Sequence, residues 1–127
     1  MRLTHVALWT SDLERACAFW VEVFGAAAGS LYASARRPGF VSRFVSLVEG
    51  PQIELMTGPW VKPKGDQEER VGWAHVAISV GSEEAVRRLA DRTSELGALV
   101  SAPRWTGDGF YEAVIQDPDG NLIEITS

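Results

Sequence analysis

The sequence predicts an α+β fold: two tandem β-α-β-β-β modules forming a curved, open barrel-like sheet with the helices on its outer face. Three observations lead there. The chain repeats itself, because Thr-His-Val-Ala-Leu at 4–8 returns as Ala-His-Val-Ala-Ile at 74–78, and Ile-Glu-Leu-Met at 53–56 returns as Ile-Glu-Ile-Thr at 123–126. Each copy opens with period-two alternation and passes into an apolar stripe of helical period. Finally, 127 residues at 46% hydrophobic and 23% charged content suit one globular domain.

The elements follow in order. Residues 3–9 read as a strand, with Val6 and Leu8 on one face and His5, Ala7 and Trp9 on the other. Ser11-Asp12-Leu13-Glu14 has the form of a capping box, with Ser11 as the cap. Leu13, Ala16, Cys17, Trp20 and Phe24 keep helical spacing, and Gly25 stops the helix. Strands are expected at 28–35 and 41–48, and Glu49-Gly50-Pro51 turns the chain into a strand at 52–57. That completes module one, 1–57, and residues 58–72 read as a linker.

Module two, 73–127, repeats the order. A strand at 73–80 places Trp73, His75, Ala77 and Ser79 on one face. Ser82 caps a helix with the stripe Val86, Leu89, Ala90, Thr93 and Leu96, ended by Gly97. Strands at 99–104 and 110–116 lead to the turn Asp117-Pro118-Asp119-Gly120 and a last strand at 121–126. One module alone leaves a sheet face bare, so pairing two buries it.

Composition removes several function classes. A net charge of −5 offers no basic face for nucleic acid. No apolar run approaches the ~20 residues that span a bilayer, and the start is strand-like rather than a signal peptide. A lone Cys17 excludes an internal disulfide and fits a cytoplasmic location. Of the five tryptophans, most read as core filling, with the remainder available to line a cavity.

The repeat also carries chemistry. His5 and His75 are the chain's two histidines, each followed 49 residues later by a glutamate, Glu54 and Glu124. A single strand histidine is more often a core residue than a ligand. Four matched positions argue otherwise. Ile53 and Leu55 leave Glu54 and Met56 on the opposite face, and Ile123 and Ile125 do the same for Glu124. If the sheets pair as the repeat suggests, all four side chains converge on one lumen, where a carboxylate is costly unless paired or metal-bound. Two imidazoles and two carboxylates suit a divalent ion such as Zn, Ni, Co, Mn or Fe, and the absence of thiolate argues against a closed structural zinc site.

The paired His-Val-Ala openings, the Asp-Pro-Asp-Gly turn and the closing Ile-Glu-Ile resemble the vicinal oxygen chelate superfamily of glyoxalases, bleomycin-resistance proteins and dioxygenases. The resemblance spans essentially the whole chain. Its order His-Glu-His-Glu is similar to that of bacterial glyoxalase I-like proteins. The resemblance implies that His5, Glu54, His75 and Glu124 are metal ligands, and that metal-bound enediolate chemistry acts on a small carbonyl substrate. It implies Glu124 as the base, with Glu54 its symmetry mate, and a homodimer as the assembly. Such an enzyme is a lyase or isomerase.

One position departs from that pattern. Glyoxalase I typically has an arginine four residues after its first histidine, for a glutathione carboxylate, and here Trp9 stands there. Trp9, Trp73 and Met56 are therefore expected to wall a pocket for an apolar or aromatic group, with Arg36, Arg37, Arg43 and Arg104 as candidate anion contacts. An extradiol dioxygenase would need a further histidine, and a fosfomycin-type thiol transferase lacks the first glutamate. An epimerase working beside a carbonyl uses nearly the same proton chemistry. A non-catalytic drug- or metabolite-binding protein of the bleomycin-resistance kind has no need of four intact ligands.

Overall fold

The computed structural model describes residues 1–65, 69 and 71–127. Part of the 58–72 linker, residues 66–68 and 70, thus lies outside the described residues. The chain divides into two compact units, Met1–Lys64 and Gly65–Ser127, each an α+β layer of one helix on one mixed sheet. No helix among the described residues is long and apolar enough to cross a membrane.

In the first unit β1 (His5–Trp9) leads to α1 (Leu13–Phe24), then β2 (Ala27–Ala28), β3 (Tyr32–Ala33), β4 (Val41–Ser46) and β5 (Gln52–Thr57). The sheet order is β1-β5-β4-β2, with β3 also on β4. The strand expected at 28–35 is thus two short fragments antiparallel to β4. Gly29 is pressed on Phe44, where a Cβ would lie 3.1 Å from the Phe44 carbonyl oxygen. Gly29 still donates to that carbonyl at 2.8 Å, and Gly29-Ser30, weak in a strand, stands where the strand breaks.

The α1 cap is shifted by one residue from expectation. Asp12, extended at φ −142°, accepts a hydrogen bond from the Arg15 amide at 3.0 Å, so Asp12 rather than Ser11 is the N-cap. Aspartate is as good a cap as serine and brings a charge to the helix's positive end. Gly25 closes α1 in the left-handed region at φ 65°. Leu13, Ala16, Cys17, Trp20 and Val23 are buried beside Val45, Ile53 and Leu55, and Trp20 stacks on Phe24 at 5.1 Å.

The second unit runs β6 (His75–Ser79), α2 (Glu83–Glu95), β7 (Leu99–Trp105), β8 (Tyr111–Gln116) and β9 (Leu122–Thr126), in sheet order β6-β9-β8-β7. Ser82 caps α2 by accepting from the Ala85 amide at 3.2 Å. Val86, Ala90 and Thr93 bury against Ala113, Ile115, Ile123 and Ile125. Leu96, expected in that stripe, is the C-cap and half exposed, because the helix ends before it can turn inward.

The internal repeat is exact in register. β1 runs parallel to β5 and β6 parallel to β9, with Ala7 opposite Glu54 and Ala77 opposite Glu124. The 70-residue shift of the sequence is therefore also a shift of the hydrogen-bonded ladder.

Candidate functional site

Parallel pairing and strand parity bring one histidine and one glutamate together in each unit. His5 pairs with Gln52 in register and Ala7 with Glu54, so the His5 and Glu54 side chains leave the same face two rows apart. Val6, Leu8, Ile53 and Leu55 take the other face, with Ile53 and Leu55 buried under α1. His5 Nε2 lies 3.7 Å from a Glu54 carboxylate oxygen, with side chains 44% and 18% exposed. His75 Nε2 lies 3.5 Å from a Glu124 oxygen, with side chains 45% and 18% exposed. Two units with different sequences have built nearly the same pair.

The donor chemistry and spacing of each pair fit half of a metal site. Donors held at 2.0–2.2 Å from one ion, at angles between square and tetrahedral, lie about 3.0–3.4 Å apart. The observed 3.5 and 3.7 Å need only small side-chain adjustments to reach that range. Among the described residues, no group of three or more His, Cys, Asp or Glu side chains stands close enough to hold an ion. The structure thus gathers the four predicted ligands as two pairs, one per unit.

Around the first pair, the His5 ring meets Phe44 edge-on at 5.5 Å. Met56 is partly buried opposite Trp9 in the β1–β5 ladder, and Trp9 is 43% exposed. Trp73 differs from expectation: β6 begins only at His75, so strand parity does not reach Trp73, which is almost fully exposed.

The four candidate arginines separate by what they touch. Arg43 donates to the Gly29 carbonyl at 2.8 Å and to Glu14 at 2.7 Å, tying β4 to α1. Arg104 donates to Glu112 at 3.0 Å. Arg37 lies among aromatic rings, with its Cζ 4.1 Å from the centroid of Trp60. Among the described residues, no contact accounts for Arg36.

Glu112 stands beside Glu124 and is a neighbour of the site that the sequence reading does not single out. It is buried on β8, in register with Thr126 and two residues from Val114, which faces Glu124. Burial first, then its hydrogen bond to Glu124 and the charge of Glu124, raise its carboxyl above the ordinary range, while Arg104 pulls the other way. Glu112 thus lies within hydrogen-bonding reach of the Glu124 carboxyl, with Arg104 on its other side. Parity was the available signal, since Glu112, Val114 and Gln116 alternate with buried Ala113 and Ile115. The first unit has Ser42 at the matching place, also buried.

Comparison with known proteins agrees with this architecture. A family model described as the glyoxalase/bleomycin resistance protein/dioxygenase superfamily matches residues 2–125. An uncharacterized Pseudomonas aeruginosa protein, PA2024, is 32% identical over 98% of this chain and 86% of its own length. A lactoylglutathione lyase of Salmonella typhimurium is 29% identical over 98% of this chain and 91% of its own. A solved glyoxylase/bleomycin resistance protein/dioxygenase domain from Frankia is 20% identical at a TM-score of 0.85, covering 99% of this chain and 96% of that one. Glyoxalase I from Zea mays is 23% identical at a TM-score of 0.78; the match covers 98% of this chain and 44% of that one.

Proposed function

Since the chain belongs to the glyoxalase/bleomycin resistance protein/dioxygenase superfamily, we propose that it is a divalent-metal-dependent lyase or isomerase of glyoxalase I type acting on a small carbonyl substrate. The observation that carries this reading is the twin His–Glu pair, alike in spacing and exposure. In this reading His5 and Glu54 of one unit and His75 and Glu124 of the other supply one ligand set of two nitrogens and two oxygens. Such a set suits Zn, Ni, Co, Mn or Fe(II). The ion, when bound, polarises a substrate carbonyl and makes the neighbouring C–H more acidic. A cytoplasmic homodimer goes with this reading.

The chain's own residues do the remaining work. Glu124 takes the proton next to the carbonyl and returns it to the adjacent carbon, with Glu54 as its counterpart in the first unit. Glu112 hydrogen-bonds to Glu124 and is itself held by Arg104, so the base is oriented before substrate arrives. Trp9 and Met56 offer the substrate an apolar wall beside His5 and Glu54, with Trp73 a further candidate for that wall. Trp9, in place of an arginine, favours a substrate other than a glutathione adduct. Epimerisation beside a carbonyl is therefore the second reading; there one glutamate takes the proton and the other returns one to the same carbon from its opposite face.

The test is metal content followed by turnover. The purified protein should hold close to one divalent ion per chain, and adding Ni, Zn or Co should raise its thermal stability. Methylglyoxal with glutathione, followed by ultraviolet absorbance, reads the lyase reaction, and exchange of the α-proton in deuterated water reads the epimerase. Glu124→Gln should lower either rate by a factor of about 10² or more while leaving the circular dichroism unchanged. Substoichiometric metal with no gain in stability overturns the metalloenzyme reading.

A further inference from the structure

We propose that Arg37, held on an aromatic platform, is an anion receptor, and that the molecule it takes is a small carboxylate bearing a flat apolar group. The platform lies wholly within the first unit. Arg37 Cζ sits 4.1 Å from the Trp60 ring centroid, 5.7 Å from that of Trp9 and 5.9 Å from that of Phe40. Trp9 and Phe40 pack edge to face at 6.1 Å, and Tyr32 closes on Phe40 at 6.4 Å. Three rings around one guanidinium hold it by their negative faces and leave its N–H edge for a ligand.

Two turns build the platform. The Phe40 amide donates to the Arg37 carbonyl at 3.0 Å across Pro38-Gly39, and Gly39 has φ 87°, as a type II turn requires. The Ser34 hydroxyl accepts from the Arg37 amide at 3.1 Å, fixing the loop from its other side. The Val61 amide donates to the Gly58 carbonyl at 3.0 Å, which folds Trp60 back beyond β5. Gly58 makes that fold possible, since a Cβ there would lie 2.6 Å from the Trp60 ring. Gly39 has the same role toward Pro59, at 2.8 Å.

A guanidinium fixed this way has paid its ordering cost before a ligand binds. Among the described residues, Arg37 has no carboxylate partner, whereas Arg43 and Arg104 each have one. A single free fork matches the two oxygens of a carboxylate. The half-exposed Trp9 ring, on the His5 face of β1, supplies the apolar surface. This feature is not a property of the repeat: positions 70 residues on from Trp9, Arg37 and Phe40 are Ser79, Gly107 and Phe110. The first unit has acquired a binding element that the second lacks. The inference names a substrate class for the site proposed above and rests on that reading only for what happens to the bound molecule.

Benzoate titrated into the full chain, with the indole Nε1–H resonances followed by NMR, tests it. Trp9 and Trp60 should shift saturably with benzoate. Benzamide, neutral and of the same shape, should bind at least tenfold more weakly. Arg37→Met should bring benzoate down to the benzamide level, and Arg37→Lys, which keeps the charge but not the fork, should weaken it at least threefold. Equal binding of benzoate and benzamide, or undiminished benzoate binding by Arg37→Met, overturns the proposal. Retained ligand-free indole shifts in either variant identify the one whose platform is intact. Repeating the titration in excess chelator separates the two readings, because benzoate binding then reports on Arg37 alone and metal stoichiometry on the four ligands.

Discussion

Replacing Glu54 with glutamine should remove most of the stabilisation by metal while scarcely changing the metal-free protein. Its carboxylate meets His5 at 3.7 Å, and that histidine is 44% exposed, so the contact is worth at most about 1 kcal/mol. Glutamine keeps the shape and fills the same place beside Phe44 and Ala7. For 127 residues, an unfolding entropy of about 2.1 cal/mol/K per residue totals about 0.27 kcal/mol/K, so 1 kcal/mol moves Tm by about 4 °C. The metal-free variant should thus melt within ~4 °C of the parent. An ion at a hundredfold excess over its Kd stabilises the parent by about 2.7 kcal/mol, or about 10 °C. In Glu54→Gln that gain should shrink to about 3 °C or less, because the amide leaves only His5 to hold the ion in the first unit. Differential scanning calorimetry of chelator-treated protein, with and without added Ni or Zn, measures all four melting points. A variant that keeps the full gain would show that Glu54 is no ligand.

Three further outcomes follow from the fold. Glu112→Gln should not destabilise the chelator-treated protein at neutral pH. A carboxyl raised in the folded state binds a proton that the unfolded chain has released, so the parent loses stability as pH rises from the usual carboxylate range through the raised value; urea midpoints from pH 4 to 8 should show a flatter dependence for the glutamine variant, and an unchanged slope would contradict this. Burial raises the Cys17 thiol, keeping it protonated and enclosed at neutral pH, so iodoacetamide at pH 7.5 should modify it at least tenfold more slowly in native protein than in urea. Leu55→Ala and Ile125→Ala, which empty fully buried and repeat-related positions, should each cost about 2–5 kcal/mol by urea denaturation; a cost well under 1 kcal/mol at either would mean that its sheet is not packed under its helix.

Much of this molecule was legible because the repeat supplied a second copy of the His–Glu pair and of the strands that carry it. The His–Glu spacing, the alternation around Glu54 and Glu124, and the Gly25 stop all depend on residues close in sequence or on strand parity. Errors arose where a local signal had a near-equal neighbour or where distant residues decide. Ser11 and Asp12 are both good caps, and backbone geometry alone chose Asp12. Trp73 shares the parity of His75 in the sequence, whereas the strand that would carry that parity begins at His75. Its partners rather than its neighbours in sequence mark Glu112: Arg104, eight residues away, and Glu124, on the neighbouring strand. The Arg37 platform joins residues from β1, the β3–β4 loop and the turn after β5, and no period in the sequence links them.

The parallel ladders have a kinetic consequence. In each unit the two strands that carry the histidine and the glutamate are its first and last, side by side but separated by nearly the whole unit. Such a pair closes a long loop, so its formation is expected to follow the intervening helix and hairpin, which reduce the entropy of closure. A nascent or unfolded chain therefore holds its imidazole and carboxylate far apart and offers an ion only isolated donors. Each His–Glu pair is assembled only once its own ladder has closed, so the pair is a product of the finished unit rather than a template for it.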